Sequence, residues 1–540
     1  MELSVLIGGE AGEGVKESAN LFSRVLTNIG YSVFTYHDYP SLIRGGHNFS
    51  IVRFSNEEVF APVKKVDYIV ALDSKSLEKH RENAKENTKW IVDSELPGNV
   101  KVPFRKLAKG VKRSSAILGA LLKTFKIPYE EGLSILRELP DYQENERVFL
   151  QAYEIAEEIE ELVEVEGIKG DYISGSEAIA LGAVDGGLNI YIAYPMTPAS
   201  PVLHFLASHK RELGVKVVQP ENEIGAINMV LGAAYAGGRA MTGTSGGGFA
   251  LMTETLSLAG MSETPVVIYE AQRGAPSTGV PTYTEQSDLL FALFAGHGDF
   301  PRIVLAPSDA KESYLFSRKA MNLAWKFQTP VIILSSKNVA ESFFTQELKR
   351  EKLVEEPKLW NGEGEYRRYE ITDDGVSPLA FPGTKGAVVK FSSYEHDPFG
   401  ITTEDPVEIN RMKEKRERKR KTVEEFVRND KESVSVGGDL SSDRVILTWG
   451  ENWGVCCEVG EELGFKVVKP NYLEPFPSER LKEEIGKAKE LTVVELSISG
   501  QFEKLLNLYG IKANSRFRKY DTRPIFKEEL KEFLGGRDGA

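Results

Sequence analysis

Cysteine is almost absent from this chain of 540 residues, which has only the adjacent pair Cys456 and Cys457. Neighbouring cysteines cannot form an ordinary structural disulfide, and two thiols fall short of the four that hold an iron–sulfur cluster. The chain is therefore expected to carry no cluster, and any electron transfer must use another chain. The seven histidines show no metal-ligand spacing, which argues against a protein-bound zinc. Positive charge is also in deficit. A formal net charge of -13 argues against general binding to nucleic acid or acidic membrane, because phosphate recognition needs a basic field. No apolar run approaches the length of a membrane span. The N-terminus, Met1-Glu-Leu-Ser-Val-Leu-Ile-Gly8, reads as a strand entering a glycine turn, not a signal peptide. A cytoplasmic location is expected. Internal repeats at solenoid periods are missing too.

What is present is an α/β pattern long enough for three or four domains. Short β-rich runs (Leu3 to Gly8, Tyr31 to Tyr36, Tyr68 to Leu72, Lys89 to Val92) alternate with helical periods in a first segment, 1–166. A Glu-rich helix, Glu154 to Glu166, is predicted to close it. A second segment, 171–340, repeats the alternation with continuous apolar strands: Leu188 to Tyr194, Val215 to Val218, Arg239 to Thr244, Pro265 to Glu270, Ile303 to Ala306 and Pro330 to Leu334. Such strands suit a doubly wound parallel sheet buried on both faces. Residues 341–439 read as an irregular linker with a charged helix. Its basic run, Arg411 to Lys421, is interspersed with acids and is read as a solvated helix joining domains in preference to a nucleic-acid patch. A last α/β unit, 440–540, has strands predicted at Arg444 to Thr448, Lys466 to Lys469 and Leu491 to Leu496.

Chemistry concentrates in the second segment. Gln219-Pro-Glu-Asn-Glu-Ile-Gly-Ala226 places Glu223 near the start of a small-residue helix. A carboxylate there can hydrogen-bond a ring nitrogen of the aminopyrimidine of thiamine diphosphate, or can simply stabilise the helix N-terminus. Tyr194-Pro-Met-Thr-Pro-Ala-Ser200 holds Thr197 between two prolines at a strand's carboxyl end, where open α/β sheets bind ligands or where a helix merely begins. Arg273-Gly-Ala-Pro-Ser-Thr-Gly-Val-Pro-Thr282 offers a guanidinium fork for a carboxylate, though a surface loop reads equally well. Thr244-Ser-Gly-Gly-Gly248 and Gly9-Glu-Ala-Gly-Glu-Gly14 look like phosphate loops, but the first lacks the Gly-Lys-Ser/Thr ending and the second carries two acids. No Gly-Asp-Gly with a following asparagine stands at a strand end to hold magnesium and a diphosphate. Half of a thiamine site is legible, without the other half.

Taken in order, these motifs, with Gly296-His-Gly-Asp-Phe-Pro-Arg-Ile-Val304, resemble the α subunit of a 2-oxoacid:ferredoxin oxidoreductase. The first segment, with Gly8-Gly-Glu-Ala-Gly-Glu-Gly14 and Tyr39-Pro-Ser-Leu-Ile-Arg-Gly-Gly-His47, is similar to that family's γ subunit. A fused γ–α subunit is implied, with a γ-type domain, a pyrimidine-binding domain and a transketolase C-terminal-like domain. The resemblance implies that Glu223 binds the aminopyrimidine and that Tyr194, Pro195 and Thr197 lie at the cofactor. It also implies that Thr197, Arg273 and Thr282 contact the 2-oxoacid, with Asp397 of Tyr394-Glu-His-Asp397 as a further candidate. Arg44 and Arg113 are placed where a γ domain could meet the distal end of a substrate, while Glu495 and Gly500-Gln501 suggest packing. A β subunit would hold the diphosphate of the shared thiamine, Mg2+ and a [4Fe-4S] cluster, in a heterodimer or dimer of heterodimers. Coenzyme A would be co-substrate and ferredoxin the acceptor. The 2-oxoacid is expected to be 2-oxoglutarate, with pyruvate or a broad range as alternatives, and a non-oxidative decarboxylase or an inactive scaffold as rival classes. Two departures from the family pattern stand out. Thr-Ser-Gly-Gly-Gly replaces Thr-Ser-Gly-Pro-Gly and is expected to loosen that loop, and Arg113-Ser-Ser replaces a Lys-Asn pair.

Overall fold

A computed structural model describes residues 1–40, 46–163, 165, 167 and 170–536. By proximity the chain divides into two compact units, Met1–Ser174 with Glu341–Leu348 and Ile525–Ala540, and Gly175–Ala340 with Lys349–Pro524. Both are α/β, as the strand and helix alternation implies.

The first unit is built on an eight-stranded sheet. Its parallel half runs Val100–Val102, Ala84–Asp93, Val66–Ala71, Glu2–Glu10. The other half is antiparallel: His47–Ser55 pairs residue for residue with Glu2–Glu10, followed by Ser32–Asp38, Phe343–Gln346 and Asp171–Ser174. Phe343–Gln346, expected at the start of the linker, is a strand of this sheet, paired on both sides. Helices Val15–Asn28, Arg113–Thr124 and Tyr142–Ile155 supply a core in which Phe22 and Phe125 stack at 5.6 Å and Tyr68 meets Phe125 edge-on at 4.7 Å.

The predicted Glu-rich helix does not form over its described residues, because the preceding helix stops at Ile155 and the chain continues extended. Thr124 O accepts both Ile159 N and Glu160 N, Glu158 pairs with Lys123 at 2.7 Å, Glu161 pairs with Lys126 at 2.8 Å, and Tyr68 donates to Glu160 at 2.8 Å. These partners lie along the end of another helix and within the core, so an extended path reaches them and a helix would not.

The second unit holds a seven-stranded sheet in the order Tyr472–Glu474, Ile303–Leu305, Pro330–Ser336, Val266–Gln272, Ala240–Thr244, Ile190–Ile192, Lys216–Val218. All but the first strand run parallel, and the three central strands are buried throughout. A five-stranded sheet follows: Val434–Gly438, Lys466–Pro470, Arg444–Leu447, Glu490–Glu495, Ser515–Arg518.

The basic run forms helix Pro406–Asn429, but it is not a solvated connector. Met412, Lys415, Arg416, Lys419, Val423 and Val427 make a buried stripe at helical spacing, with two lysines in core positions. Lys415 Nζ donates to both oxygens of Glu263 at 2.8 and 2.7 Å, and Lys419 pairs with the same carboxylate. Among the described residues no helix is long and apolar enough to cross a membrane.

Candidate functional site

Because the central strands of the seven-stranded sheet are parallel, their carboxyl ends open on one edge, which carries Thr244 as the last residue of its strand and Thr197 and Arg273 in the segments that leave it. Glu223 opens helix Glu223–Tyr235, whose N-cap Asn222 accepts Gly225 N at 2.8 Å through its side chain. Its carboxyl is buried at 4% exposure and its Oε1 has no hydrogen-bond partner. Leaving a buried oxygen unsatisfied costs about 1–3 kcal/mol, so this atom is suited to an external donor.

The Thr244–Gly248 segment defines the wall beside it. Gly246 begins helix Gly246–Met261, so Gly247, where the family pattern has proline, sits in a helical first turn and not in a loosened loop. A side chain on Gly247 would meet nothing within 4 Å, whereas a Cβ on Gly248 would come to 2.8 Å from Glu223 Cγ and Oε1 and would collide with Thr244 Oγ1. Gly247→Ala is expected to raise the chain's stability by about 0.5–1 kcal/mol. Gly248→Ala is expected to lower it by about 1–3 kcal/mol through overpacking against the carboxylate. Thermal melts of the two variants check this; equal melting points would refute the asymmetry.

Arg273 leaves strand Val266–Gln272 and donates through Nη1 to Thr197 O at 2.6 Å, joining two of the sequence motifs directly. Thr282, at the other end of the same loop, is 2% exposed with Oγ1 unpartnered. Glu285 anchors the loop by accepting Ala275 N at 2.9 Å. Tyr194 and Pro195 precede Thr197 at the edge, with Tyr194 37% exposed.

The five-stranded sheet grips this loop from behind. Thr284 donates to Glu451 at 2.6 Å, and Gln286 bonds Trp449 O, Asn452 Nδ2 and Leu496 N at 3.0, 2.7 and 3.1 Å. Gln501 accepts Leu290 N at 2.9 Å, while Glu495 accepts Phe502 N at 2.9 Å and so holds the start of helix Gln501–Leu508. These contacts are structural.

Other expected residues are engaged elsewhere. Asp397 Oδ1 accepts Phe399 N and Ile401 N, both at 2.9 Å, closing its own turn near the Arg416–Glu395 pair. Arg113, in the first unit, pairs with Glu13 at 2.6 Å and donates to Ala108 O at 3.1 Å. Glu13, one of the two acids in the glycine turn, is thereby balanced by a cation. Arg44 lies outside the described residues. His297 borders a cavity of about 720 Å3 formed with Glu254, Lys413 and Arg416, apart from Glu223, Thr197 and Arg273.

Sequence reading missed two acids at the edge. Glu270 is fully buried with both oxygens unpartnered, and burial raises its pKa well above the ordinary carboxylate range, helped by the charge of Asp288. Asp288 is pushed up to about 6 by burial and by Glu285, against the opposing pull of Arg273. An acid ending an apolar strand at the ligand edge was the available signal for Glu270; Asp288 had none.

Residues 181–416 match the family model described as pyruvate flavodoxin/ferredoxin oxidoreductase, thiamine diP-binding, and residues 4–155 match that of pyruvate ferredoxin/flavodoxin oxidoreductase. The 2-oxoacid:ferredoxin oxidoreductase subunit alpha of a Sulfolobus species is 32% identical, over 99% of this chain and 96% of its own. The 2-oxoglutarate synthase subunit KorA of Archaeoglobus fulgidus is 43% identical over 31% of this chain and 49% of its own. A 2-oxoglutarate:ferredoxin oxidoreductase from Magnetococcus marinus, solved with 2-oxoglutarate, coenzyme A and succinyl-CoA bound, matches at 30% identity and a TM-score of 0.89 over 99% of both chains. With likeness in sequence and fold over essentially its whole length, the chain belongs to the 2-oxoacid:ferredoxin oxidoreductases as an α-type subunit.

Proposed function

We propose that this chain supplies the pyrimidine-binding half and the substrate-carboxylate site of an enzyme that oxidatively decarboxylates 2-oxoglutarate to an acyl-CoA and CO2 with reduction of ferredoxin. A β subunit completes it, holding Mg2+, the thiamine diphosphate group and a [4Fe-4S] cluster, in a heterodimer or a dimer of heterodimers within the cytoplasm. The observation that carries the reading is the unpartnered, buried Glu223 Oε1 on the edge that also bears Arg273 and Thr282. It suits a ring N–H donor, and this chain has no motif for the diphosphate end.

When bound, thiamine diphosphate supplies the electron sink that makes loss of CO2 from a 2-oxoacid feasible. Glu223 accepts the hydrogen bond that holds the aminopyrimidine in its proton-accepting tautomer. Tyr194, Pro195 and Thr197 line the cofactor side. Arg273, steadied by Thr197 O, and Thr282 orient the substrate carboxylate, a charge-assisted bond stronger than a neutral one. The preference for 2-oxoglutarate is supported by the ligands of the Magnetococcus enzyme and by the name of the Archaeoglobus relative. Arg113 has its guanidinium engaged by Glu13 and by Ala108 O within its own unit. Asp397 has its carboxylate committed to a turn and is retained only as a contributor to that loop's position.

The test is reconstitution with the β subunit and kinetics on 2-oxoglutarate, pyruvate and a branched 2-oxoacid, with coenzyme A and ferredoxin. The complex is expected to turn over and the lone chain to be inert. Full oxidation by the lone chain would overturn the split site, and equal kcat/KM on pyruvate would reassign the substrate to a broad range. Turnover without an electron acceptor would mean a non-oxidative decarboxylase.

A further inference from the structure

Three acids, Glu270, Glu285 and Asp288, lie on the strand and loop that carry Arg273, and none of them forms an ion pair with it among the described residues. Glu270 is fully buried on the strand that ends at Gln272, and neither of its oxygens has a hydrogen-bond partner. Asp288 is tied to the same place, because its amide donates to Gln272 Oε1 at 3.0 Å and a Cβ on Gly246 would run into its carboxylate. Glu285, on the same loop, is also buried. The charges that bear on Asp288 are Glu285 and Arg273, and Asp288 in turn acts on Glu270. Helix Gly246–Met261 faces it with backbone and carries no ionisable side chain before Glu254. Helix Gln501–Leu508 reaches the neighbouring residues through the neutral Gln501, and its Glu503 is paired with Arg516 and Arg518.

A 2-oxoacid that docks its carboxylate on Arg273 adds one more anion to this pocket. We propose that Asp288 takes up one proton from solvent as the substrate carboxylate binds Arg273, while Glu270 stays protonated throughout, so that the pocket's net charge is the same empty and loaded. Asp288 is thus a positioning residue: once neutral, it adds no repulsion to the carboxylate that arrives at Arg273. The inference rests on Arg273 being the carboxylate site.

The sign follows from linkage. With Asp288 titrating near 6 in the free protein and higher once a second anion arrives, affinity is level below about pH 6 and weakens as pH rises. The limiting slope is tenfold per pH unit, the signature of one proton taken up.

In the reconstituted complex, kcat/KM for 2-oxoglutarate is expected to fall above about pH 6 with that slope, carried mainly by KM. Asp288→Asn should remove this limb, and Glu270→Gln, a neutral isostere, should keep it. On wild-type complex, calorimetry with oxamate as an unreactive 2-oxoacid in two buffers of different ionisation enthalpy should show uptake approaching one proton, a readout that survives if Asp288→Asn fails to fold. If Arg273→Ala raises KM strongly but the wild type takes up no proton, the coupling is wrong and the Arg273 assignment stands. If Arg273→Ala leaves KM unchanged, the assignment itself falls and the coupling with it. Loss of uptake in Glu270→Gln would overturn the role given to Glu270.

Discussion

Replacing Glu223 with glutamine is expected to lower kcat of the reconstituted complex by about 10²–10⁴-fold, the usual span for removing an acid–base group. The substitution keeps the volume and removes only the charge and one acceptor. That distinction matters because Glu223 packs against Gly248 and Thr244, and a smaller residue would leave a gap as well as lose a carboxylate. The same change is expected to leave stability unaltered or raise it slightly, since a buried carboxylate with an unpartnered oxygen gives way to a neutral amide. Opposite signs for activity and stability separate a functional acid from a helix-stabilising one. A first-turn glutamate that served only the helix N-terminus would produce the reverse: about 0.3–1 kcal/mol less stability and little change in kcat. A kcat within a factor of about three of the wild type would rule out the assigned role.

The largest stability effect is expected at Glu263. This residue follows the helix that borders Glu223 at its other end and holds φ at +50°, a left-handed conformation unusual outside glycine. Its carboxylate receives Lys415 and Lys419, and its main-chain oxygen accepts Arg368 at 2.7 Å. Burial alone would raise its titration, and the two ammonium groups overcome that and hold it well below the carboxylate range. Glu263→Ala leaves two buried lysines without their anion and is expected to cost about 3–5 kcal/mol, read by urea titration and by faster amide exchange in helix Pro406–Asn429. Lys419→Met should be nearly neutral or stabilising, because one acid already serves two lysines. A loss below about 1 kcal/mol in Glu263→Ala would show the cluster to be energetically idle.

The pH dependence has a definite sign. Burial lowers Lys419 to about 7, against the attraction of Glu263 and with the help of Lys415. Between that value and the ordinary lysine value of about 10.4 the unfolded chain binds more protons, so the contribution of Lys419 to stability rises with pH through that window. The wild type should therefore gain on Lys419→Met between about pH 7 and pH 10.

The strands that sequence reading recovered are those buried on both faces, such as Val266–Gln272 and Pro330–Ser336, where burial writes a continuous apolar run. His47–Ser55 was missed because its polar residues are satisfied inside the fold: Arg53 is 1% exposed and donates to Glu2 at 2.8 Å and to Ala61 O at 2.9 Å. The charged helix was misread for the same reason. Its buried stripe was visible at positions 412, 415, 419, 423 and 427, but a lysine in such a stripe looks solvated until its anion, far away in sequence at Glu263, is known.

By itself the sequence determined the family, the α/β class, and the motifs around Thr197, Glu223 and Arg273, because these depend on local order and on residue types that neighbouring positions constrain. Tertiary structure alone decided which atoms meet. It joined Arg273 to Thr197, left Glu223 Oε1 without a partner, committed Arg113 to Glu13, buried Glu270 without a partner, and brought Asp288 within electrostatic reach of both Glu270 and Arg273. Whether a buried charge is balanced depends on partners tens or hundreds of residues away, and that information exists only once the chain is folded.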